Sequence, residues 1–266
     1  MTIFGYIKKF ILIFLKYASL VLFSLVAIIP LVSCVITAFK TDAEYNSTNV
    51  MTPPSSWLYF ENFVSAFKKA GMGRAFINST IILIAVLILS VFIGTQLAYV
   101  LNRFQFFGNT LIRNLFLVAC QLPGVAMQIA VYEMMYKLGF INNMFGYILM
   151  TCGTDVISIY IYIQFFENID YSLDESAIMD GASYFTIFYK ILLPLLKPAI
   201  VTACILKGVG TYNEYYNANL YLQDKKRYAT VATSLYTFVG PLGSKYNLIC
   251  AGVIISLLPA LLVFIT

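Results

Sequence analysis

Six apolar segments divide this chain, at about Tyr17–Phe39, Phe76–Leu101, Leu111–Met135, Phe145–Phe166, Pro198–Leu222 and Leu248–Ile265. Each approaches or exceeds the roughly 18–20 residues a helix needs to cross a ~30 Å hydrocarbon layer. Charged residues make up 11% of the chain and hydrophobic ones 61%, against about 25% charged in an ordinary soluble protein. A soluble core of this length cannot hide so much apolar surface, whereas lipid is a solvent for it. The expected fold is all-α and polytopic, with six transmembrane helices forming a single domain over residues 1–266. Pro123 and Pro259 fall inside the third and sixth segments and predict kinks there.

The connecting stretches are polar or turn-rich. Lys40–Arg74 contains Pro53-Pro54, and its Tyr59–Lys69 portion predicts a short amphipathic helix on the membrane face. Asn102–Asn109 and Lys137–Asn143 are short turns, and Gln223–Asn247 holds Lys225-Lys226-Arg227, Pro241 and Gly243. The net charge of +5 is spread thinly, so nucleic acid is not an expected partner. The basic triplet reads as a solvated or lipid-headgroup-facing turn. Leu31-Val32-Ser33-Cys34 resembles a lipoprotein cleavage box, but the apolar run continues to Phe39, which favours a helix that contains a Cys.

Several chemistries are not expected. Cys34, Cys120, Cys152, Cys204 and Cys250 lack CxxC spacing and histidine is absent, so neither a metal site nor a disulfide framework is predicted. No Gly-x-x-x-x-Gly-Lys-Ser/Thr loop is present for binding ATP. No nucleophile–base pairing is visible, so no catalytic residue and no cofactor is predicted.

The stretch Glu167–Lys197 carries the most information. It reads Glu175-Ser176-Ala177-Ile178-Met179-Asp180-Gly181, then nine residues, then Ile191-Leu192-Leu193-Pro194. Asp170 or Ser172 is available as an N-cap, and Asp174 and Glu175 fall in a first turn, where a helix dipole favours carboxylates. Gly181 ends that helix, Tyr184–Leu192 forms a second, and Pro194 and Pro198 stop it and start the fifth span. An ordinary amphipathic loop would supply a Gly and a Pro, but not this spacing.

This loop resembles the Glu-Ala-Ala signature loop of ABC importer membrane subunits, with Ser176 in place of the first Ala. The resemblance extends over nearly the whole chain to the shorter membrane subunit of maltose/multiple-sugar importers. Lys40 ends the first span in the family's manner, Asn78-Ser79 opens the second, Arg103-Phe104-Gln105-Phe106-Phe107-Gly108 matches the turn after it, and Tyr212-Asn213-Glu214-Tyr215 matches a motif of the fifth span. The family usually continues with a basic, Gly-rich tail, whereas this sequence stops at Thr266, which puts coupling through a tail in doubt; Asp155 falls where the family is usually apolar.

The resemblance implies a carbohydrate permease that is not itself an enzyme. Its partners would be a second homologous permease subunit, two ABC ATPase subunits that bind the ATP, and an extracytoplasmic sugar-binding protein. Glu175, Ser176, Ala177, Asp180 and Gly181 would form the coupling helix that docks on an ATPase, with Ile191, Leu193 and Pro194 joining it to the fifth span. The membrane would be the cytoplasmic membrane of a prokaryote. Counting Lys and Arg by side gives seven against nine, which leaves topology open. The Lys8, Lys9, Lys16 cluster and the resemblance place the N-terminus in the cytoplasm.

A charge at mid-membrane costs at least about 2.5–3.5 kcal/mol, so Glu133, Asp155, Lys207 and Glu214 invite a pathway role. With Gln128, Tyr160, Gln164, Tyr212 and Asn213 they offer the amides, carboxylates and aromatic faces that suit sugars. The competing reading is that these groups sit at interfaces or join helices. Three alternatives stay open: a permease for amino acids, peptides or polyamines, a secondary transporter with Asp155 as its cation site, and a membrane enzyme or scaffold.

Overall fold

The computed structural model describes residues 3–153, 155–240 and 243–265, and every regular element among them is helical. Pro241, Thr266 and the side chains of Lys8 and Cys120 lie outside the described residues. The chain separates into two compact units, Met1–Gly73 with Leu235–Thr266, and Arg74–Ser234.

In the first unit, α1 (Ile3–Ala38) is uncharged from Tyr17 onward, as a lipid-facing span must be. Its Phe10 and Phe23 rings are 71% and 70% exposed. Asn62 closes its end, donating from Nδ2 to the carbonyls of Ala38 at 2.8 Å and Lys40 at 2.7 Å. Lys40 is buried and donates to Thr48 Oγ1 and the Asn49 carbonyl. A capping box between Thr41 and Glu44 starts α2 (Asp42–Ser47). Hydrogen bonds from Ser55 and Thr41 hold the half-buried Glu44 carboxyl down at about 2. The predicted amphipathic helix is α3 (Glu61–Lys69). Both α1 and α3 pack on the terminal helix Tyr246–Ile265.

The second unit opens within α4 (Met72–Arg103) and continues through α5 (Asn109–Gln121), α6 (Gly124–Lys137), α7 (Met144–Gly153) and α8 (Val156–Glu167). After α9 (Ser172–Met179) and α10 (Tyr184–Thr186), a π-helical turn at Ile187–Leu192 leads into α11 (Leu193–Leu195) and then α12 (Lys197–Asn213). Short helices α13 (Tyr216–Tyr221), α14 (Lys225–Tyr228) and α15 (Val231–Ser234) complete it. The wide turn has a local cause. Pro194 lacks an N–H and cannot donate to the Lys190 carbonyl, so the hydrogen-bond ladder re-registers around it.

Three predicted spans are broken rather than continuous. Pro123 does not kink one helix: α5 and α6 meet at 106° across it. The fourth segment bends by 44° between α7 and α8, and Asp155, expected at mid-helix, occupies the break. The fifth does not run to Leu222. The 70° turn at Leu196 precedes its start, where Pro194 and Pro198 are expected to end the loop helix and begin the span, whereas the unexpected break comes later: α12 ends at Asn213, where Glu214 takes extended backbone. Two unbroken helices among the described residues are long and apolar enough to cross a bilayer, or five if each bent pair is one span. With the shorter apolar helix Tyr246–Leu261, this is consistent with six.

The core of the second unit lies under the signature loop. Tyr99 of α4, Phe166 of α8 and Phe188 and Leu192 of the π-turn are buried together. Gly94 lets α4 approach α8 closely, since a Cβ there would stand 3.0 Å from the Tyr162 ring. The Asn78-Ser79 pair also has a structural task. Asn78 Nδ2 donates to the carbonyls of Arg227 and Ala229, and Ser79 Oγ accepts the Val231 N–H. Lys225, read as a solvated turn residue, instead donates to the Leu222 and Asn219 carbonyls at the end of α13, a common task for a basic residue there.

Candidate functional site

The signature loop is built as its spacing dictates. The N-cap of α9 is Tyr171 rather than the expected Asp170 or Ser172, but just ahead of it Asp170 Oδ1 accepts the Ser172 N–H at 2.9 Å, which holds the Asp170 carboxyl below its ordinary value. At the other end the Ala182 N–H reaches the Ala177 carbonyl and the Gly181 N–H reaches the Ile178 carbonyl, both at 2.9 Å. That pair of bonds is a Schellman motif, which needs a left-handed residue between the two helices. Gly181 supplies it at φ +81°, and nothing lies within 4 Å of where its Cβ would be. Ala177 and Ala182 close the motif on the core.

What remains outside is the surface available to a partner. Glu175, Ser176, Asp180 and Gly181 are exposed, while Ala177 is buried and Ile191 and Leu193 are half-buried. Pro194 is exposed at the start of the bend towards α12. Two large apolar side chains of the same stretch are exposed as well, Met179 at 87% and Phe185 at 71%. Sequence reasoning missed both, because an apolar residue in a short loop helix is as compatible with the core as with a partner.

A second missed group ties this loop to α4. Arg103 ends α4, and its Nη2 donates to the Ile169 carbonyl at 2.9 Å and lies 3.2 Å from Asp174 Oδ2. Its guanidinium also sits over the Tyr171 ring at 5.3 Å. The side chains of Arg103 and Asp174 are only 8% and 5% exposed. The contact is charge with charge rather than a formed hydrogen bond, since Asp174 Oδ2 has no hydrogen-bond partner. Burial pushes the Asp174 carboxyl above its ordinary value, and the Arg103 charge works against that rise.

The pathway candidates separate. Asp155 and Glu214 line one cavity of about 310 Å³, together with Lys207, Thr211 and Asn217. Lys207 Nζ lies 3.8 Å from Asp155 Oδ1 and donates to the Thr151 carbonyl at 2.8 Å. The others lie elsewhere. Gln128 donates to Tyr221 Oη, Tyr160 donates to the Arg113 carbonyl, and Asn213 donates to the Val209 carbonyl of its own helix. Gln164 is exposed on α8, and Tyr212 packs on Ala75, Ala229 and Val231. Glu133 pairs with Lys137 one turn on, at 2.7 Å.

The sequence profile of the family described as "binding-protein-dependent transport system inner membrane component" matches residues 89–266. The chain belongs to this family. Among similar members, the probable ABC transporter permease protein YurM of Bacillus subtilis is 32% identical over 246 residues, covering 89% of this chain and 78% of that protein. The diacetylchitobiose uptake system permease protein NgcG of Streptomyces coelicolor is 26% identical over 252 residues, covering 94% and 83%. The maltodextrin transport system permease protein MalD of Streptococcus pneumoniae is 28% identical over 252 residues, covering 94% and 89%. A solved bacterial ABC transporter, involved in import of the acidic polysaccharide alginate, matches in fold with a TM-score of 0.85 at 21% identity, covering 97% of this chain and 95% of its own. The protein is thus a membrane permease component of a binding-protein-dependent ABC transporter, which works with a binding protein and an ATPase.

Proposed function

We propose that this permease translocates a carbohydrate and takes its energy from ATPase subunits docked on the 175–194 loop. One observation carries the coupling assignment: a Schellman-closed helix turn that leaves Met179, Phe185 and the carboxylates of Glu175 and Asp180 on one exposed loop. Exposed apolar side chains outside the spans favour burial by a protein partner. The assembly contains a second homologous permease and two ATPase subunits, which bind the ATP, and an extracytoplasmic binding protein delivers the solute. Closure of the ATPase pair moves the loops, and the membrane halves rock between inward- and outward-facing states. Differential affinity of the ATPases for the two states drives that shift.

The N-terminus and the 175–194 loop lie in the cytoplasm of a prokaryotic cell. The assignment to carbohydrate rests on the relatives, whose names specify diacetylchitobiose and maltodextrin. That Asp155 and Glu214 line the same cavity supports their assignment to the pathway.

Reconstitution tests this reading. Proteoliposomes holding the chain with its co-purified membrane and ATPase partners should accumulate labelled oligosaccharide only with ATP on the loop side and binding protein on the other. Accumulation driven by a proton or sodium gradient without ATP would instead favour a secondary transporter.

A further inference from the structure

The short helix α3, between the first two spans, carries an apolar face that its own unit leaves uncovered. The uncharged stretch of α1, Tyr17–Ala38, is about 33 Å long at ~1.5 Å per residue, close to the ~30 Å of a hydrocarbon layer. Phe39 follows it directly and so stands at a membrane boundary. The Phe39 ring meets those of Trp57, Phe60 and Phe63, with centroids 5.7, 5.6 and 5.0 Å away. Those contacts hold the start of α3 at the same depth. At the other end Ala70 and Gly71, the latter at φ +60°, turn the chain into α4, the second apolar span. A helix tied at both ends to the ends of spans lies along the boundary.

The side chains of α3 sort by face. Asn62 and Ala66 are buried, Asn62 on the carbonyls that close α1 and Ala66 beside Gly252 of the terminal helix. Phe60, Val64 and Phe67, four and three residues apart, form one stripe, and all three are exposed. An ordinary amphipathic helix turns its apolar stripe to the core; this one gives the core a small face and points the large side chains outward. The stripe continues a surface of α1, where Ile28, Leu31, Val32 and Val35 are exposed at the helical spacing that leads to Phe39.

We infer that Trp57 and the Phe60–Val64–Phe67 stripe form an interfacial anchor whose partner is bilayer lipid. The rings and Val64 enter the acyl chains next to the headgroups, while the exposed Lys68 and Lys69 reach the phosphates on their long stems. Two features favour lipid over a protein partner. Tryptophan prefers the headgroup boundary, and Trp57 is the single tryptophan of the chain. Lysine is depleted from protein interfaces, yet two lysines end this helix.

The single tryptophan makes the test direct. The assembled transporter is placed in nanodiscs of phosphatidylcholine brominated either near the headgroup end of the acyl chain or near its methyl end. Subtracting the emission of the Trp57→Phe assembly cancels the tryptophans of the partner subunits and leaves Trp57 alone. That difference should lose most of its intensity to bromine near the headgroup, less to bromine near the methyl end, and little to aqueous iodide. A second reporter, Val64→Trp in the Trp57→Phe chain, should respond in the same way; Val64 is exposed, so a larger ring has room. Adding the binding protein should change neither signal. Quenching by iodide but not by bromine at either position would overturn the inference. So would a signal that neither quencher reaches, which would mean that a protein subunit covers the face, or emission that recovers when the binding protein is added.

Discussion

Arg103→Ala is expected to loosen the signature loop while leaving the spans in place. The guanidinium holds three parts of one entry turn, the Ile169 carbonyl, the Tyr171 ring and the Asp174 carboxylate. Its removal leaves Asp174 buried without a counter-charge, which costs about 3–5 kcal/mol. Hydrogen exchange in residues 169–182 should rise sharply. Arg103→Lys should recover little, because an ammonium cannot reproduce the planar fork or the stacking. Removing both partners, as Arg103→Met with Asp174→Leu, should recover much of the loss, which a double-mutant cycle measures.

The same variant has a pH signature. The folded Asp174 carboxyl lies above its ordinary value because burial outweighs Arg103. A carboxyl raised on folding contributes stability that is fully present below its unfolded pKa and is lost as pH rises through its folded pKa. Without Arg103 the rise becomes larger. The destabilisation should therefore be greatest at neutral pH and shrink on acidification, when the neutral acid needs no counter-charge. A loss that grew on acidification would contradict this account of the pair.

Gly181 supports the second large effect. Its φ of +81° is the left-handed region, yet the surrounding space is open. A β-branched residue there is strained by about 1–2 kcal/mol, which lowers the ratio of docking-competent to disrupted loop about 5–30-fold. Gly181→Val should therefore abolish most ATP-driven uptake. Asn enters this region more readily, so Gly181→Asn should keep the loop folded by hydrogen exchange. If Asn restores uptake, conformation is the whole requirement. If Asn folds the loop but uptake stays lost, the ATPase approaches the Gly181 backbone itself. Full uptake with Val would remove this turn from the coupling path.

The loop was readable because its determinants are local. Gly181 and Pro194 act through their own backbone, and Asp170 through its carboxylate, on neighbours a few residues away, so spacing alone dictates helix, turn and helix. The spans were readable for a similar reason, since apolar length is set by bilayer thickness. The breaks were less so. Pro123 announces a lost hydrogen bond, but the 106° between α5 and α6 depends on what each half packs against. The end of α12 at Asn213 was hidden because no proline or glycine marks it and the Tyr216–Tyr221 stretch that follows is uncharged. Arg103 with Asp174 and Lys207 with Asp155 are pairs between distant segments. A sequence marks such residues as ionisable in apolar surroundings without naming their partners. Met179 and Phe185 were invisible for the opposite reason, since their exposure contradicts their type.

Co-purification of the tagged chain from its native membrane in mild detergent tests coupling through the loop most directly. The unaltered protein should bring down a P-loop ATPase and a second permease. The double change Glu175→Lys, Gly181→Trp, which reverses a charge and places a large ring at the open left-handed position, should lose the ATPase and keep the second permease. An ATPase retained in full by that variant, or a chain that purifies with no ATPase at all, would contradict the account.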